Sequence, residues 1–194
     1  MPVLEWIGKS KVVNHHRDVP YHVLEKKYTF DAAGVHAEDA PYLAEILNNR
    51  HVLDKLRDGL PYPYTEGDAR EYIAMMLSAD NARNFSFAIV ADDRVVGNIG
   101  AFRGENIHFR TAEMGYYIGE SYWGQGIGTC AVKKACEYIF AHSDVVRIFA
   151  EPFAYNMASC RVLEKAGFQM EGILRSNAVK NGTVIDMSLY AKIK

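Results

Sequence analysis

The run Trp123-Gly124-Gln125-Gly126-Ile127-Gly128-Thr129 constrains this chain more than any other stretch. It lies between a segment that reads as a strand ending at Ile118 and one in which Ile127, Cys130, Ala131, Ala135, Tyr138 and Ile139 share one helical face. A chain passing from strand to long amphipathic helix through so many glycines has to turn tightly. Gly126 and Gly128 let its backbone approach an anion, and the unbonded N–H groups of a helix start suit a pyrophosphate. The run is not the dinucleotide fingerprint, whose glycine spacing and following acid are missing, and no Lys-Ser/Thr pair follows it as a P-loop requires. Taken alone it is equally a structural turn.

The flanking patterns place this turn within a larger order. A strand is expected from Leu24 to Phe30, then a broken helix from Glu38 to about Leu56 carrying Leu43, Ala44, Ile46 and Leu47 on one face. Gly59, Pro61 and Pro63 force a loop. Thr65 and Asp68 resemble a capping box that opens a helix through Tyr72, Ile73, Met76 and Leu77. Strands Phe85 to Ala91 and Val95 to Phe102 form a hairpin through Asp92-Asp93. After the strand Glu113 to Ile118 and the glycine turn come a strand, Arg147 to Phe153, a short helix, Ala158 to Ala166, and two strands meeting at Asn181-Gly182. This order predicts an α+β domain with one mixed central sheet.

Composition excludes several functions. The 194 residues carry 24 acidic and 22 basic side chains, a net charge of −2, which argues against general nucleic-acid binding. Cys130, Cys136 and Cys160 are odd in number and lack CxxC spacing, so reduced thiols in a reducing compartment are expected, with neither zinc nor disulfides. No basic region followed by an apolar run opens the chain, and nothing approaches the roughly 18 apolar residues of a membrane span. A cytoplasmic protein without membrane contact is the expectation. Residues 1–22 hold His15, His16 and His22 with no acidic or Cys partner at a helical or hairpin spacing, and read as an extension packed on a domain of residues 23–194. Trp6 to Phe30 resembles the opening of certain bacterial adenine-specific DNA methylases, but nothing after it does, and no function is placed on it.

Gly115-Tyr116-Tyr117-Ile118, the glycine turn, Asn156-Met157-Ala158-Ser159 and Leu163-Glu164-Lys165-Ala166-Gly167-Phe168 follow one another in the order and spacing of a known pattern. Together they resemble the GNAT acyltransferase superfamily. The continuation Glu171-Gly172-Ile173-Leu174-Arg175, then Gly182 and Asp186 to Tyr190, is similar to the branch that includes the ribosomal-protein N-terminal acetyltransferases of RimJ/RimL type. The resemblance runs roughly from Gly34 to the C-terminus. It implies the GNAT fold, a mixed central β-sheet flanked by helices, with a splay between two parallel strands, here Glu113–Ile118 and Arg147–Phe153.

The resemblance also implies acetyl-CoA as co-substrate. Unpaired backbone groups are costly unless a ligand satisfies them, and those of Tyr117 and Ile118 would bond the pantetheine arm. Gln125, Gly126, Ile127, Gly128 and Thr129 would hold the pyrophosphate, and Asn156 would bond the cofactor directly or through water, beside Ser159. The Tyr117 N–H is the expected oxyanion donor. Glu113 matches an acidic position that often acts as base through water, the alternative being a salt bridge or loop cap. Many relatives place a tyrosine as general acid five residues before the phenylalanine of the Gly-Phe pair; Leu163 stands there. Ser159, one helical turn earlier, is left as proton donor to the thiolate, or as a simple cap. Trp123 would shield the cofactor or pack on the helix, Glu171 would pair with Arg175, and Tyr190 would be core.

The expected activity is acetyl transfer to a primary amine by direct attack in a ternary complex. A protein N-terminal α-amine is favoured, since a pKa of about 7.7–8.0 makes it easier to deprotonate than a lysine near 10.4. A polyamine, amino acid or antibiotic is the alternative acceptor, and a non-catalytic acyl-CoA-binding regulator is the alternative class. Substrate choice would lie in the first two helices and the loops Asp58 to Thr65 and Arg103 to Arg110. A homodimer remains among the options.

Overall fold

A computed structural model describes residues 28–31, 36–78, 83–92 and 94–194. The N-terminal histidines and nearly all of the methylase-like stretch lie outside the described residues. Strands β1 (Tyr28–Asp31), β2 (Asn84–Ala91), β3 (Arg94–Arg103), β4 (Thr111–Ile118), β5 (Arg147–Ala150), β6 (Gln169–Lys180) and β7 (Thr183–Ile193) form one sheet in the order β1-β2-β3-β4-β5-β7-β6. Every neighbouring pair is antiparallel except β4 and β5, which run parallel.

The sheet is covered on both faces, which is why β2 reads as an almost unbroken apolar run. Phe87, Ile99 and Ile148 pack with Val132 and Ile139 of α4 (Ile127–His142) and Leu163 of α5 (Met157–Lys165). On the opposite face Val90 and Val95 pack with Leu43 and Leu47 of α1 (Ala40–Leu47) and Ile73 of α3 (Glu66–Ser78). The expected capping box opens α3: the Thr65 N–H donates to Asp68 Oδ2 at 2.7 Å, and the Asp68 N–H donates to Thr65 Oγ1 at 3.2 Å. The break expected somewhere between Glu38 and Leu56 falls at Asn48 and Asn49. Asn49 caps the single turn α2 (Arg50–Leu53) by accepting the His51 N–H at 2.8 Å. Asn48 donates to Ala44 O at 2.9 Å and accepts the Tyr64 N–H at 2.9 Å, tying the 54–65 loop to α1.

Two sequence expectations change. β5 ends at Ala150, three residues early, because Pro152 has no N–H for a ladder; Phe153 keeps only an isolated bridge to Met187. Glu171 does not pair with Arg175; it forms a two-pronged ion pair with Arg147, Nη1 to Oε1 at 2.6 Å. Tyr190 is core, its hydroxyl donating to Glu164 at 2.8 Å, and Asn181 and Gly182 turn the last hairpin at φ 50° and 76°. Among the described residues no helix is long and apolar enough to cross a membrane.

Cys136 and Cys160 are buried, Cys130 is half-buried, and all three are free thiols. Burial pushes the Cys136 thiol up to about 12, so it holds its proton at neutral pH. A Cys160→Ala variant should lose stability by lost packing yet keep its turnover per folded molecule. Loss of turnover in the folded variant would point to a covalent acetyl-enzyme.

Candidate active site

The parallel pair holds only at Thr111–Arg147, Ala112–Ile148 and Glu113–Phe149. Beyond that the strands part, while β4 stays on β3 as far as Ile118. The Gly119 N–H donates to Val96 O at 2.8 Å, which fixes the alternation of β4. The main-chain groups of Tyr117 therefore point at β3, and those of Tyr116 and Ile118 point into the gap. The Ile118 carbonyl is taken by the Trp123 indole N–H at 2.8 Å, and the Ile118 amide stays turned to the gap. The Tyr117 main-chain groups, expected at the oxyanion and the pantetheine arm, are thus turned to β3, and those of Tyr116, which the spacing did not single out, face the gap. The Tyr117 ring packs under α1 and α3, its hydroxyl buried without a hydrogen-bond partner among the described residues.

Beyond Ile118 the glycine turn delivers the chain into α4. Gly126 is the N-cap at φ 81° and ψ 0°, a conformation costly for residues with a Cβ, and no side chain caps it. The first intrahelical bond runs from the Cys130 N–H to Gly126 O at 3.1 Å. The amides of Ile127, Gly128 and Thr129 precede that bond and are left for an outside acceptor. Ile127 is buried and anchors the turn, Gly126 is exposed, and the Gln125 side chain is tied back to Ser121 O at 2.9 Å. A Cβ on Gly128 would already press on Ile118 Cδ1 at 3.2 Å. An uncapped, positive helix start beside a strand with unpaired amides fits an adenylate-linked pantetheine diphosphate.

Across the gap, α5 is capped by Asn156, whose Oδ1 accepts the Ser159 N–H at 3.3 Å and leaves Nδ2 as a donor. The Tyr116 hydroxyl lies 2.8 Å from Ser159 Oγ. Burial pushes that phenol up to about 12. Leu163, where relatives carry the acid tyrosine, is fully buried in the core.

Glu113 lies on the opposite face of β4 from Tyr116, at the last paired position before the fork. Arg57, from the loop after α2, binds Glu113 Oε1 closely and reaches Glu151 Oε2 at 3.5 Å. Desolvation, and then the Glu113 charge, push the Glu151 carboxyl up against the opposing pull of Arg57. A cavity of about 320 Å³ opens beside this trio, lined by Arg57, Asp58, Glu151, Phe153, the hairpin residues Asn177 to Lys180, and Met187. On the same face of β4 a Cβ at Gly115 would meet nothing within 4 Å. Arg57 and Glu151 carry no local sequence signal, since they meet only through the sheet.

The acetyltransferase (GNAT) domain family matches residues 33–169. The probable N-acetyltransferase YjcK of Bacillus subtilis (strain 168) is 36% identical over 115 residues, 59% of this chain and 64% of that protein, so the match spans slightly under two thirds of the relative. The ribosomal-protein-serine acetyltransferase of Escherichia coli (strain K12) is 32% identical over 107 residues, 55% of this chain and 59% of that protein. RimL, a ribosomal L7/L12 alpha-N-protein acetyltransferase solved in complex with coenzyme A, shares the fold at a TM-score of 0.77 and 22% identity, over 90% of this chain and 97% of its own. The chain belongs to the GNAT family of acetyltransferases, acyltransferases that draw their acetyl group from acetyl-CoA.

Proposed function

We propose that this protein transfers an acetyl group from acetyl-CoA to a protein N-terminal α-amine by direct attack in a ternary complex. The observation that carries the reading is the parting of β4 and β5 beside an uncapped helix start, with the Ser159 hydroxyl on the far bank. When bound, acetyl-CoA supplies an activated acetyl thioester. The gap-facing amides of Tyr116 and Ile118 are available to the thioester oxygen as negative charge collects on it. The Tyr116 phenol keeps its proton at neutral pH and lies 2.8 Å from Ser159 Oγ, so that a hydrogen bond from the phenol to that oxygen frees the serine proton for the departing thiolate. A carboxylate at the fork relieves the incoming amine of its proton, Glu113 being the residue named by the sequence. The α-amine is supported by the ribosomal-protein relatives and by the open space over Gly115, which admits a chain end to the fork.

Thiol release with three acceptors tests this: a peptide with a free N-terminus, the same peptide N-blocked but carrying lysine, and a polyamine. Turnover with the free N-terminus alone is expected, rising with pH to a plateau above about 8 as the α-amine loses its proton. Preference for the polyamine or blocked peptide overturns the acceptor, and coenzyme binding without turnover on any amine favours a regulator.

Ser159→Ala should lower kcat about ten- to a hundredfold with acetyl-CoA affinity unchanged, since proton donation to the thiolate matters mainly in the transition state. An unchanged kcat would make Ser159 a helix cap only.

A further inference from the structure

We infer that Glu151, not Glu113, takes the proton from the acceptor amine, and that Glu113 is the positioning residue that holds Arg57 at the fork. The inference rests on the acetyltransferase reading and assigns a step within it. Glu113 on β4 and Glu151, one residue past the end of β5, stand where the ladder opens, on the face that carries the cavity. Their environments differ. Glu113 is bound closely by the Arg57 guanidinium, which covers its carboxylate, and it stands outside the cavity lining. Glu151 meets the same guanidinium only at 3.5 Å, its side chain is 22% exposed against 35% for Glu113, and it lines the cavity itself. The other charges lining the cavity, Asp58 from the loop after α2 and Lys180 from the hairpin, are paired with one another. They leave Glu113 and Arg57 as the charged neighbours that set the Glu151 carboxyl. Desolvation and then the like charge of Glu113 raise it above the ordinary glutamate value against the pull of Arg57, the direction that makes a carboxylate a stronger general base.

The step balances simply. An amine N–H bond breaks and an O–H bond forms on Glu151, directly or through one water. The freed nitrogen lone pair makes the C–N bond as the C–S bond breaks; the remaining excess proton on that nitrogen goes to solvent water, the Ser159 proton goes to sulfur, and solvent then returns a proton to Ser159 and takes the one held by Glu151. Arg57 stays with Glu113 throughout and keeps the Glu113 charge from repelling an incoming acyl acceptor's carbonyl groups.

Two measurements test the assignment. In the intact enzyme, Glu151→Gln should cut kcat about ten- to a hundredfold at pH 7 and recover as pH rises past 8, because the amine is then already neutral in solution. Glu113→Gln should raise the acceptor KM and move the acid limb of the kcat–pH profile to lower pH, as the like charge beside Glu151 is removed, without the recovery above pH 8 that marks Glu151→Gln. The reverse pattern, or a wild-type profile in Glu151→Gln, overturns the inference. Carboxyl titration of carbon-13 glutamate-labelled protein provides a readout independent of turnover. Glu151 should titrate above the ordinary glutamate value, and the excess should shrink in Glu113→Gln as the like charge is removed. Titration of Glu151 at or below the ordinary value overturns the inference even if no amine is turned over, whereas absent turnover by itself counts against the acetyltransferase reading.

Discussion

Gly126→Glu will lose coenzyme A binding by at least about a hundredfold while remaining folded, because the substitution opposes the site in three independent ways. The residue sits at φ 81°, where a side chain costs roughly 1–2 kcal/mol. A carboxylate placed there can bend over the Ile127, Gly128 and Thr129 amides and cap them, occupying the groups the diphosphate needs. Its charge also repels whatever phosphate still approaches. Gly126 is exposed, so the new side chain strains the turn without entering the core. Gly126→Asn separates these causes, since asparagine tolerates the left-handed region and carries no charge; it should keep affinity within about tenfold. Calorimetry decides the matter: a folded Gly126→Glu protein that binds CoA within about threefold of wild type would place the diphosphate elsewhere.

What the sequence disclosed follows from the range of the interactions involved. The glycine turn, the Thr65–Asp68 capping box and the Asn181-Gly182 hairpin are decided by residues within a few positions of one another, and each appears in the structure where its spacing put it. Tyr117 shows the limit. A motif names a strand segment, but which of its amides faces the gap depends on the register of β4 against β3, fixed by the Gly119 to Val96 hydrogen bond. A register shifted by one residue would exchange Tyr117 and Tyr116. Arg57 and Glu151 lie further still from local legibility. Arg57 reaches Glu113 across 56 positions of chain, and nothing near either residue announces the meeting. Local chemistry thus delivers the glycine turn and the uncapped helix start, and only the folded sheet shows which charges stand together at the fork.

Gly97→Ala tests that sheet at its tightest point. A Cβ on Gly97 would lie 2.2 Å from the Tyr117 carbonyl oxygen and 3.0 Å from Ile118 Cα, both main-chain atoms that cannot swing aside as a side chain would. The two strands must separate, and β4 has little to hold it from the other side, since its pairing with β5 stops at Glu113. Overpacking in a core costs about 1–3 kcal/mol, and a clash against backbone belongs at the upper end. For a chain of this size about 3 kcal/mol lowers Tm by about 6–12 °C. Gly115→Ala is the matched control, the same substitution on the neighbouring strand with nothing within 4 Å of the new carbon, and it should move Tm far less. The separation also turns the Ile118 amide, so Gly97→Ala should bind CoA more weakly even at temperatures where it is fully folded. A Gly97→Ala protein melting within about 2 °C of wild type, about 0.5–1 kcal/mol on the same scale, would show that the strands part there at little cost. The close approach of β3 to β4 would then not be what aims the Tyr116 and Ile118 amides into the gap.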